Sequence, residues 1–288
     1  MVNEYQVKEQ ICEIGRRIDA RGLVAANDGN ISVKISDREV LCTPTGVLKG
    51  TMTPEMICKM DLDGNVLEAP NGYKPSSEMK MHLRVYQKRP DVGAVVHAHP
   101  PYATSFAVAG IPLSQPVLAE AVVQMGCVPV ADYGMPSTQE IPDAVEKYLP
   151  YFDAMLLEYH GALAYGPDLM TAYMKMESVE FYARTLYQVR TLSGGSVREI
   201  PREKVEALYE LRRRMGLPGR HPANVCQNQG TANCHNCGMH AMELSGVTRQ
   251  AAPVPGAEIP AGAGSDTLDV NAIASITRQV RASLGMQQ

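Results

Sequence analysis

Three histidines stand where they could hold a single metal ion. His97 and His99 follow the apolar run of residues 93–96. Side chains at positions i and i+2 of a strand point to the same face, so both imidazoles could contact one ion. His160 follows a second apolar run, residues 155–157, and could complete the set. Three protein ligands that leave one position open are typical of catalytic rather than structural zinc.

A histidine pair alone often arises by chance near a protein surface, so the polar motifs around it matter. Glu78 lies at the predicted beginning of a helix, directly after Ser76 and Ser77. Helix N-termini offer free N–H groups that favour anions such as phosphate. Gly29-Asn30 and Thr43-Pro44-Thr45-Gly46 are small polar loops of the same kind. Each is ordinary loop sequence by itself, and only their occurrence together with the histidines favours a metal-dependent site.

Short strands and helices must position these residues. Apolar residues at helical spacing predict a first helix over residues 3–22, with Val7, Ile11, Ile14 and Ile18 on its buried side. Ser76 or Ser77 is predicted to cap a helix that runs to Lys88. Further helices are predicted over residues 102–109, 141–148, 168–192 and 201–215. Strands are predicted over residues 31–35, 39–42, 56–61, 93–96 and 155–157.

Composition and charge exclude several classes of protein. Of the 288 residues, 45% are hydrophobic and 20% are charged, which predicts a well-buried core. The net charge of −4 argues against a general nucleic-acid or membrane-surface binder. No apolar run approaches the roughly 20 residues of a membrane helix, and residues 1–8 lack a secretory signal. Seven cysteines without an export signal favour reduced thiols in the cytoplasm.

Five motifs occur together in one order along the chain. They are Gly29-Asn30-Ile31-Ser32, Thr43-Pro44-Thr45-Gly46, Ser76-Ser77-Glu78 with His82, the run from Val95 to Pro100, and His160-Gly161. In order and spacing they resemble the class II aldolase and adducin-type family, most closely its fuculose-phosphate aldolase branch, over about residues 5–215. The resemblance implies an α/β fold with a central, mainly antiparallel sheet flanked by helices. It also implies a homotetramer.

The same resemblance implies a role for each motif. It makes His97, His99 and His160 the ligands of one Zn²⁺ per subunit. Glu78 becomes the catalytic acid/base, which can also touch the metal in the free enzyme, and Tyr133, which matches a family tyrosine, becomes a second catalytic residue. The phosphate of the substrate would be held by Asn30, Thr45, Gly46, Ser76 and Ser77.

The implied reaction is the cleavage of a ketose 1-phosphate of the fuculose or rhamnulose type, to dihydroxyacetone phosphate and lactaldehyde. Zinc would act as a Lewis acid and Glu78 would move the proton. Two further family tyrosines are missing here, because residues 116–119 and 214–216 contain none. The substrate is therefore open, and Tyr133 could simply pack. A sugar-phosphate 4-epimerase or dehydratase would use the same metal site, and a non-catalytic adducin-like binding protein is the alternative outside enzymes.

Residues 219–247 form a segment rich in Cys and His. Cys234 and Cys237 have the CxxC spacing that suits zinc or an iron–sulfur cluster, and Cys226 could be a third ligand. No second CxxC is present, so an ordinary or redox-sensitive loop is the competing interpretation. The absence of a basic patch argues against a nucleic-acid-binding zinc finger.

The end of the chain has the pattern of a tethered helix. Residues 248–267 are rich in Ala, Pro and Gly, which predicts a flexible linker after the catalytic domain of residues 1–218. Residues 268–288 place Ile273, Ile276 and Val280 on one helical stripe. Together they resemble the encapsulation peptides of bacterial microcompartment cargo enzymes. That implies shell proteins as partners and a location inside such a compartment; the alternative is a helix that packs on its own domain or at an oligomer interface.

Overall fold

The computed structural model describes residues 3–221, and within them the chain forms an eight-stranded sheet. Its strands are β1 Asn30–Lys34, β2 Glu39–Cys42, β3 Cys58–Asp61, β4 Val66–Glu68, β5 Ala94–Ala98, β6 Val130–Ala131, β7 Ala154–Leu157 and β8 Gly161–Gly166. Their order across the sheet is β4-β3-β2-β1-β5-β8-β7-β6. The pairs are antiparallel apart from the parallel pair β6–β7. This confirms the mainly antiparallel sheet that the family resemblance implies.

Helices flank the sheet on both faces. They are α1 Glu4–Ala20, α2 Met79–Lys88, α3 Pro101–Val108, α4 Ala119–Gln124, α5 Glu140–Glu146, α6 Leu169–Leu192 and α7 Arg202–Met215. The apolar stripe predicted for the first helix is buried in α1. The longest helix, α6, begins where the Asp168 side chain accepts a hydrogen bond from the Thr171 N–H.

Side chains along the central strands pack alternately on the two faces of the sheet, which forms two apolar layers. In β5, Ala94, Val96 and Ala98 pack in the layer formed with α1, α3 and α6, whereas Val95 packs in the layer formed with α2 and α5. Successive side chains of a strand point to opposite faces. His97 therefore points from β5 into the α2 layer, and the chemistry of this strand lies on that side of the sheet.

The sequence-based prediction misses the strands β4, β6 and β8 and the helix α4. β6 has only two residues, and β4 is exposed along its whole length. β8 reads Gly-Ala-Leu-Ala-Tyr-Gly, a run whose glycines and alanines have low strand propensity. The prediction that Ser76 or Ser77 caps α2 is wrong, because Glu78 occupies the N-cap position and no side chain caps this helix.

Several predictions concern residues outside the described range. These are the metal site at Cys226, Cys234 and Cys237, the linker of residues 248–267 and the helix of residues 268–288. The domain boundaries that depend on them stay predictions. Within residues 3–221, no helix is both long and apolar enough to cross a membrane.

Candidate metal centre and substrate cavity

Strand pairing brings the polar residues of β1 and β5 to one face. Asn30 lies directly opposite His97, and Ser32 lies opposite Val95. Directly opposite residues share a face of the sheet. Asn30, Ser32 and His97 therefore all point toward α2, where Glu78 immediately precedes the first helical turn.

The three histidines predicted as metal ligands come together at the carboxyl end of β5. Their ring centroids are 4.9 Å apart for His97 and His99, 4.7 Å for His97 and His160, and 4.9 Å for His99 and His160. One possible ligand atom from each residue lies within 4.8 Å of the others. His97 is buried, whereas His99 and His160 are partly exposed. The cluster is thus held by the sheet and open on one side.

Hydrogen bonds orient two of these imidazoles as metal ligands. His97 Nδ1 donates to the Ala162 carbonyl oxygen at 2.9 Å, since a carbonyl can only accept. The lone pair of neutral His97 is then on Nε2, which lies 3.1 Å from His99 Nε2. His99 Nδ1 lies 3.2 Å from Asp28 Oδ2, which leaves its lone pair on Nε2 as well. Two facing lone pairs repel unless a cation or proton lies between them, so this donor set fits a metal ion.

Burial is the largest influence on the charge of His99. Together with the nearby imidazoles of His97 and His160, it lowers the pKa of His99 to about 4. The carboxylates of Asp28 and Glu78 act in the opposite direction but are weaker. Only neutral imidazole can bind a metal. His99 is therefore available as a ligand throughout the neutral pH range.

Two glycines allow the close approach of the backbone segments that hold the cluster. A Cβ atom on Gly161 would lie 2.5 Å from the Ala98 carbonyl oxygen and 2.6 Å from His99 Cδ2. Gly29 has a φ of 74°, and its Cβ would lie 2.9 Å from the His97 carbonyl oxygen. Only glycine fits at either position without movement of a histidine.

Glu78 lies between the histidines and Asn30. Its Oε1 is 2.9 Å from His160 Nε2, and its Oε2 is 3.3 Å from His97 Nε2. Asn30 Nδ2 donates to Oε2 at 2.7 Å. Burial raises the pKa of Glu78, but the close imidazoles of His97 and His160 favour the carboxylate more strongly than burial disfavours it, so the pKa lies well below its usual range. Glu78 is therefore a carboxylate at neutral pH and can accept a proton or contact a cation.

A cavity of about 200 Å³ opens beside these side chains. Its wall includes Glu78, His99 and His160, together with all the residues predicted to hold phosphate: Asn30, Thr45, Gly46, Ser76 and Ser77. Backbone hydrogen bonds join two of the contributing loops, from Thr45 N–H to the Lys74 carbonyl and from Ser76 N–H to the Thr43 carbonyl. The structure thus brings the proposed metal site and the proposed phosphate site into one space.

Asp28 and Ser137 also line the cavity, and sequence reasoning misses both. The segment Asn27-Asp28-Gly29-Asn30 is recognisable from sequence only as a turn, although its acidic residue contacts His99. Ser137 reaches the cavity from the connection between β6 and α5, with a φ of 67°. Its carbonyl oxygen accepts a hydrogen bond from Lys80 Nζ at 3.0 Å. No motif marks this connection, because it follows a strand of only two residues.

Tyr133 does not line the cavity, unlike Glu78 and the residues predicted to hold phosphate. It is 48% exposed, its ring lies 6.1 Å from that of Tyr159, and its hydroxyl donates to Met135 Sδ at 3.7 Å. The chain after β6 runs along the surface here, which turns Tyr133 away from the cavity wall. Its assigned catalytic role stays a prediction.

His82 lies beneath the site, within the α2 layer. Its Nδ1 is 2.7 Å from Ser32 Oγ, which in turn is 2.8 Å from the Tyr86 hydroxyl. Burial, with a smaller contribution from the nearby imidazole of His97, lowers the pKa of His82 to about 3. His82 is therefore a neutral, buried member of a polar network that joins α2 to β1.

Comparison with known proteins places these residues in a family. A model of the Class II Aldolase and Adducin N-terminal domain matches residues 9–187. The 5-deoxy-D-ribulose 1-phosphate aldolase of Bacillus thuringiensis serovar kurstaki is 34% identical over 206 residues, which cover 70% of this chain and 92% of the relative. The 3-oxo-tetronate 4-phosphate decarboxylase of Haemophilus influenzae is 31% identical over 205 residues, which cover 70% and 95%.

A solved structure shares the fold as well. The L-fuculose-1-phosphate aldolase of Thermus thermophilus is 29% identical, with a TM-score of 0.58 over 68% of this chain and 100% of that chain. The span matched by the family model contains the three histidines, Glu78 and every residue of the cavity wall. The chain therefore belongs to the family of class II aldolases and adducin N-terminal domains.

Proposed function

We propose that this protein is a zinc-dependent lyase that cleaves a ketose 1-phosphate of the fuculose or rhamnulose type to dihydroxyacetone phosphate and lactaldehyde. The observation that supports this most directly is the cluster of three imidazoles and one carboxylate beside a polar cavity, whose wall contains His99, His160 and Glu78. An ion there would contact the substrate and the carboxylate together. A binding protein without catalysis has no need of a buried, charged Glu78 at that point.

In this proposal His97, His99 and His160 hold the zinc ion, and the cavity supplies the open position. Bound zinc would act as a Lewis acid that stabilises the negative charge developing on the substrate oxygens. Cleavage of the C3–C4 bond releases the proton of the C4 hydroxyl as C4 becomes an aldehyde, and C3 then takes up a proton. Glu78 is the group placed to move that proton, because both of its oxygens lie within 3.3 Å of ligand histidines.

The phosphate would lie against the loops that contain Thr45, Gly46, Ser76 and Ser77. These loops present hydroxyl and backbone N–H groups, which are suitable donors for phosphate oxygens. The resemblance implies that Asn30 binds phosphate, but its side-chain Nδ2 donates to Glu78 instead. We therefore propose that the side-chain carboxamide of Asn30 orients Glu78, and that any contact of Asn30 with phosphate involves its backbone.

The test is incubation of the purified, zinc-loaded protein with fuculose 1-phosphate, rhamnulose 1-phosphate and 5-deoxyribulose 1-phosphate. Dihydroxyacetone phosphate is measured by a coupled reduction, and the aldehyde is identified by mass spectrometry. We expect fuculose 1-phosphate or rhamnulose 1-phosphate to be cleaved to dihydroxyacetone phosphate and lactaldehyde, with turnover in the range of about 1–10³ per second. Cleavage of 5-deoxyribulose 1-phosphate alone would give acetaldehyde and would contradict the proposed substrate type. Absence of dihydroxyacetone phosphate with all three would refute the proposal.

Decarboxylation is the second candidate, because the relative from Haemophilus influenzae is a 3-oxo-tetronate 4-phosphate decarboxylase. Loss of carbon dioxide next to a ketone also leaves negative charge on oxygens that zinc can stabilise. Incubation with 3-oxo-tetronate 4-phosphate distinguishes the two reactions by release of carbon dioxide. A 4-epimerase, tested with ribulose 5-phosphate, or a dehydratase would instead conserve the carbon skeleton.

We further propose a homotetramer. Several large apolar side chains of α6 are exposed in the single chain, including Met174 and Phe181. Contiguous exposed apolar residues are typical of interaction surfaces. Light scattering of the purified protein would measure the mass of the assembly, and a monomer at micromolar concentration would contradict this proposal.

A further inference from the structure

Lys49 is a buried lysine that the proposed mechanism does not use. It begins a short 3-10 turn, Lys49–Thr51, and is only 1% exposed. Its Nζ donates to the carbonyl oxygens of Asn27 and Val47, at 2.8 Å in each case. Burying a charged group without a compensating partner is costly. The position of Lys49 therefore calls for an explanation.

The two carbonyl acceptors belong to the two loops that form one side of the cavity. The first loop, Asn27-Asp28-Gly29-Asn30, contributes four residues to its wall, and the second contributes Pro44, Thr45 and Gly46. Lys49 Nζ thus joins these loops on the side away from the cavity, and one of its two acceptors is the backbone carbonyl of the wall residue Asn27. Loss of Nζ would leave both carbonyls without this donor.

Lys49 also differs from the other buried lysines in its lack of an ion pair. Lys59 pairs with Glu4 and Glu68, and Lys175 pairs with Asp153. Among residues 3–221, no carboxylate forms such a pair with Lys49 Nζ. Burial lowers the pKa of Lys49 to about 8, while the more distant carboxylates of Asp28 and Glu78 act in the opposite direction. The ammonium is therefore mostly protonated at neutral pH and incompletely compensated.

The backbone around Lys49 is fixed by close packing against α1. A Cβ on Gly15 of α1 would lie 2.5 Å from the Lys49 carbonyl oxygen. A Cβ on Gly50 would lie 2.3 Å from Asp19 Oδ2 on the same helix. These approaches leave little freedom for the turn, so the ammonium is held at one position behind the cavity.

We infer that Lys49 is a positioning residue for the substrate phosphate: its ammonium holds the two loops together and supplies positive charge behind the wall, which a phosphate dianion in the cavity compensates. This role rests on the proposed function, since it requires a phosphorylated substrate. Because the ammonium does not line the cavity, it acts through the loops and through its field. Such a charge in a site of low dielectric acts more strongly than it would in water.

The experiment measures the dissociation constant of inorganic phosphate by calorimetry with the full-length, zinc-loaded protein. Lys49→Gln keeps a hydrogen-bond donor but removes the charge, and we expect phosphate to bind about tenfold more weakly, which corresponds to about 1.4 kcal/mol. The matched control is Lys59→Gln, which removes a buried lysine outside the cavity wall and should leave phosphate affinity unchanged. With a cleavable ketose 1-phosphate, Lys49→Gln should raise KM more than it lowers kcat.

Lys49→Arg, which keeps the charge, should recover most of the phosphate affinity. If Lys49→Gln does not fold, Lys49→Met, which is closer to lysine in size, replaces it in the same measurement. A folded, uncharged variant that binds phosphate like the wild type overturns the inference. Wild-type protein that binds phosphate through Lys49 but cleaves no ketose 1-phosphate would contradict the proposed reaction while supporting this role of Lys49.

Discussion

Asn30 and Glu78 are joined by a hydrogen bond of 2.7 Å that connects β1 to the beginning of α2. The same carboxylate lies within 3.3 Å of two of the three clustered histidines. One carboxamide therefore sets the direction of the carboxylate at the metal site. The arrangement explains how an acidic side chain at a helix N-cap, where it makes no capping bond, is held against a cluster of imidazoles.

Replacement of Glu78 by Gln should preserve the fold and the zinc content but remove most of the activity. Glutamine keeps the size of the side chain and can still accept from Asn30, but it cannot take up a proton. General acid–base groups contribute about 10²–10⁴-fold to rate, and we expect kcat to fall by a factor in that range. Steady-state kinetics measures this loss. A near wild-type kcat would show that another residue transfers the proton, and Tyr133→Phe would then be the variant to test.

Replacement of His97 or His160 by Ala should abolish turnover and lower bound zinc to well below one ion per chain. Each variant removes one of three ligands and leaves two, which hold zinc poorly. Elemental analysis should use chains in which Cys226, Cys234 and Cys237 are Ser, so that no metal in that segment is counted. His82→Gln serves as the control, since it removes a buried histidine outside the cluster. Unchanged zinc in both alanine variants would exclude this metal site.

Gly161→Ala should disturb the metal site from the backbone side. The new Cβ would lie 2.6 Å from His99 Cδ2, so the ring must move. The matched control is Gly22→Ala, where φ is +66° and no atom lies within 4 Å of the new Cβ. In that control, left-handed backbone strain should lower the free energy of unfolding by about 1 kcal/mol, and the zinc content should stay the same. Equal zinc content in the two variants would show that Gly161 does not position His99.

Acid should destabilise the protein through its buried histidines, and His82 offers the clearest case. The pKa of His82 falls from 6.5 to about 3 on folding. Between those values the unfolded chain binds a proton that the folded chain does not, so the free energy of unfolding decreases as pH falls. The slope for one proton is about 1.4 kcal/mol per pH unit. His82→Gln should reduce the slope by about that amount between pH 6 and 4.5, as measured by urea unfolding in the presence of a chelator. An identical slope in both proteins would mean that His82 binds its proton as readily in the folded chain as in the unfolded chain.

Deletion of residues 265–288 should leave aldolase activity intact. Every residue proposed for the metal site and the cavity wall lies at or before His160, and a predicted linker intervenes. The resemblance to encapsulation peptides further predicts that the deletion abolishes co-purification with microcompartment shell proteins, and that Ile276→Glu does the same by placing a charge on the apolar stripe. Loss of activity without any change in shell association would instead indicate that the segment packs on the enzyme.

The sequence predicts the histidine cluster better than it predicts the sheet around it. His97 and His99 lie on one face because strand periodicity requires it, and that rule needs no knowledge of the neighbouring strands. Which strands lie beside β5 depends on contacts between distant segments. β8 in particular is Gly- and Ala-rich and gives almost no local signal, although it pairs with every residue of β5.

At the cavity, too, some residues can be predicted from the sequence and others cannot. Thr45, Gly46, Ser76 and Ser77 are recognisable from the family motifs, and the structure places them together. Ser137 and Lys49 belong to no such motif. Ser137 reaches the cavity only because β6 pairs with β7, and Lys49 lies behind its wall only because α1 packs closely on the 3-10 turn. Both contacts join segments that are distant in the chain, so local sequence patterns give no basis for either.

The position of β5 between two antiparallel neighbours limits how this chain can change in length. A single residue inserted or deleted within residues 94–98 would move His97 into the apolar layer of α1, α3 and α6 and turn an alanine or valine toward Glu78. Loops at the exposed edge, such as the one between β3 and β4, are free of this restriction because no ligand lies beyond them. Length variation should therefore be tolerated at the outer strands and excluded from the strand that supplies two of the three imidazoles.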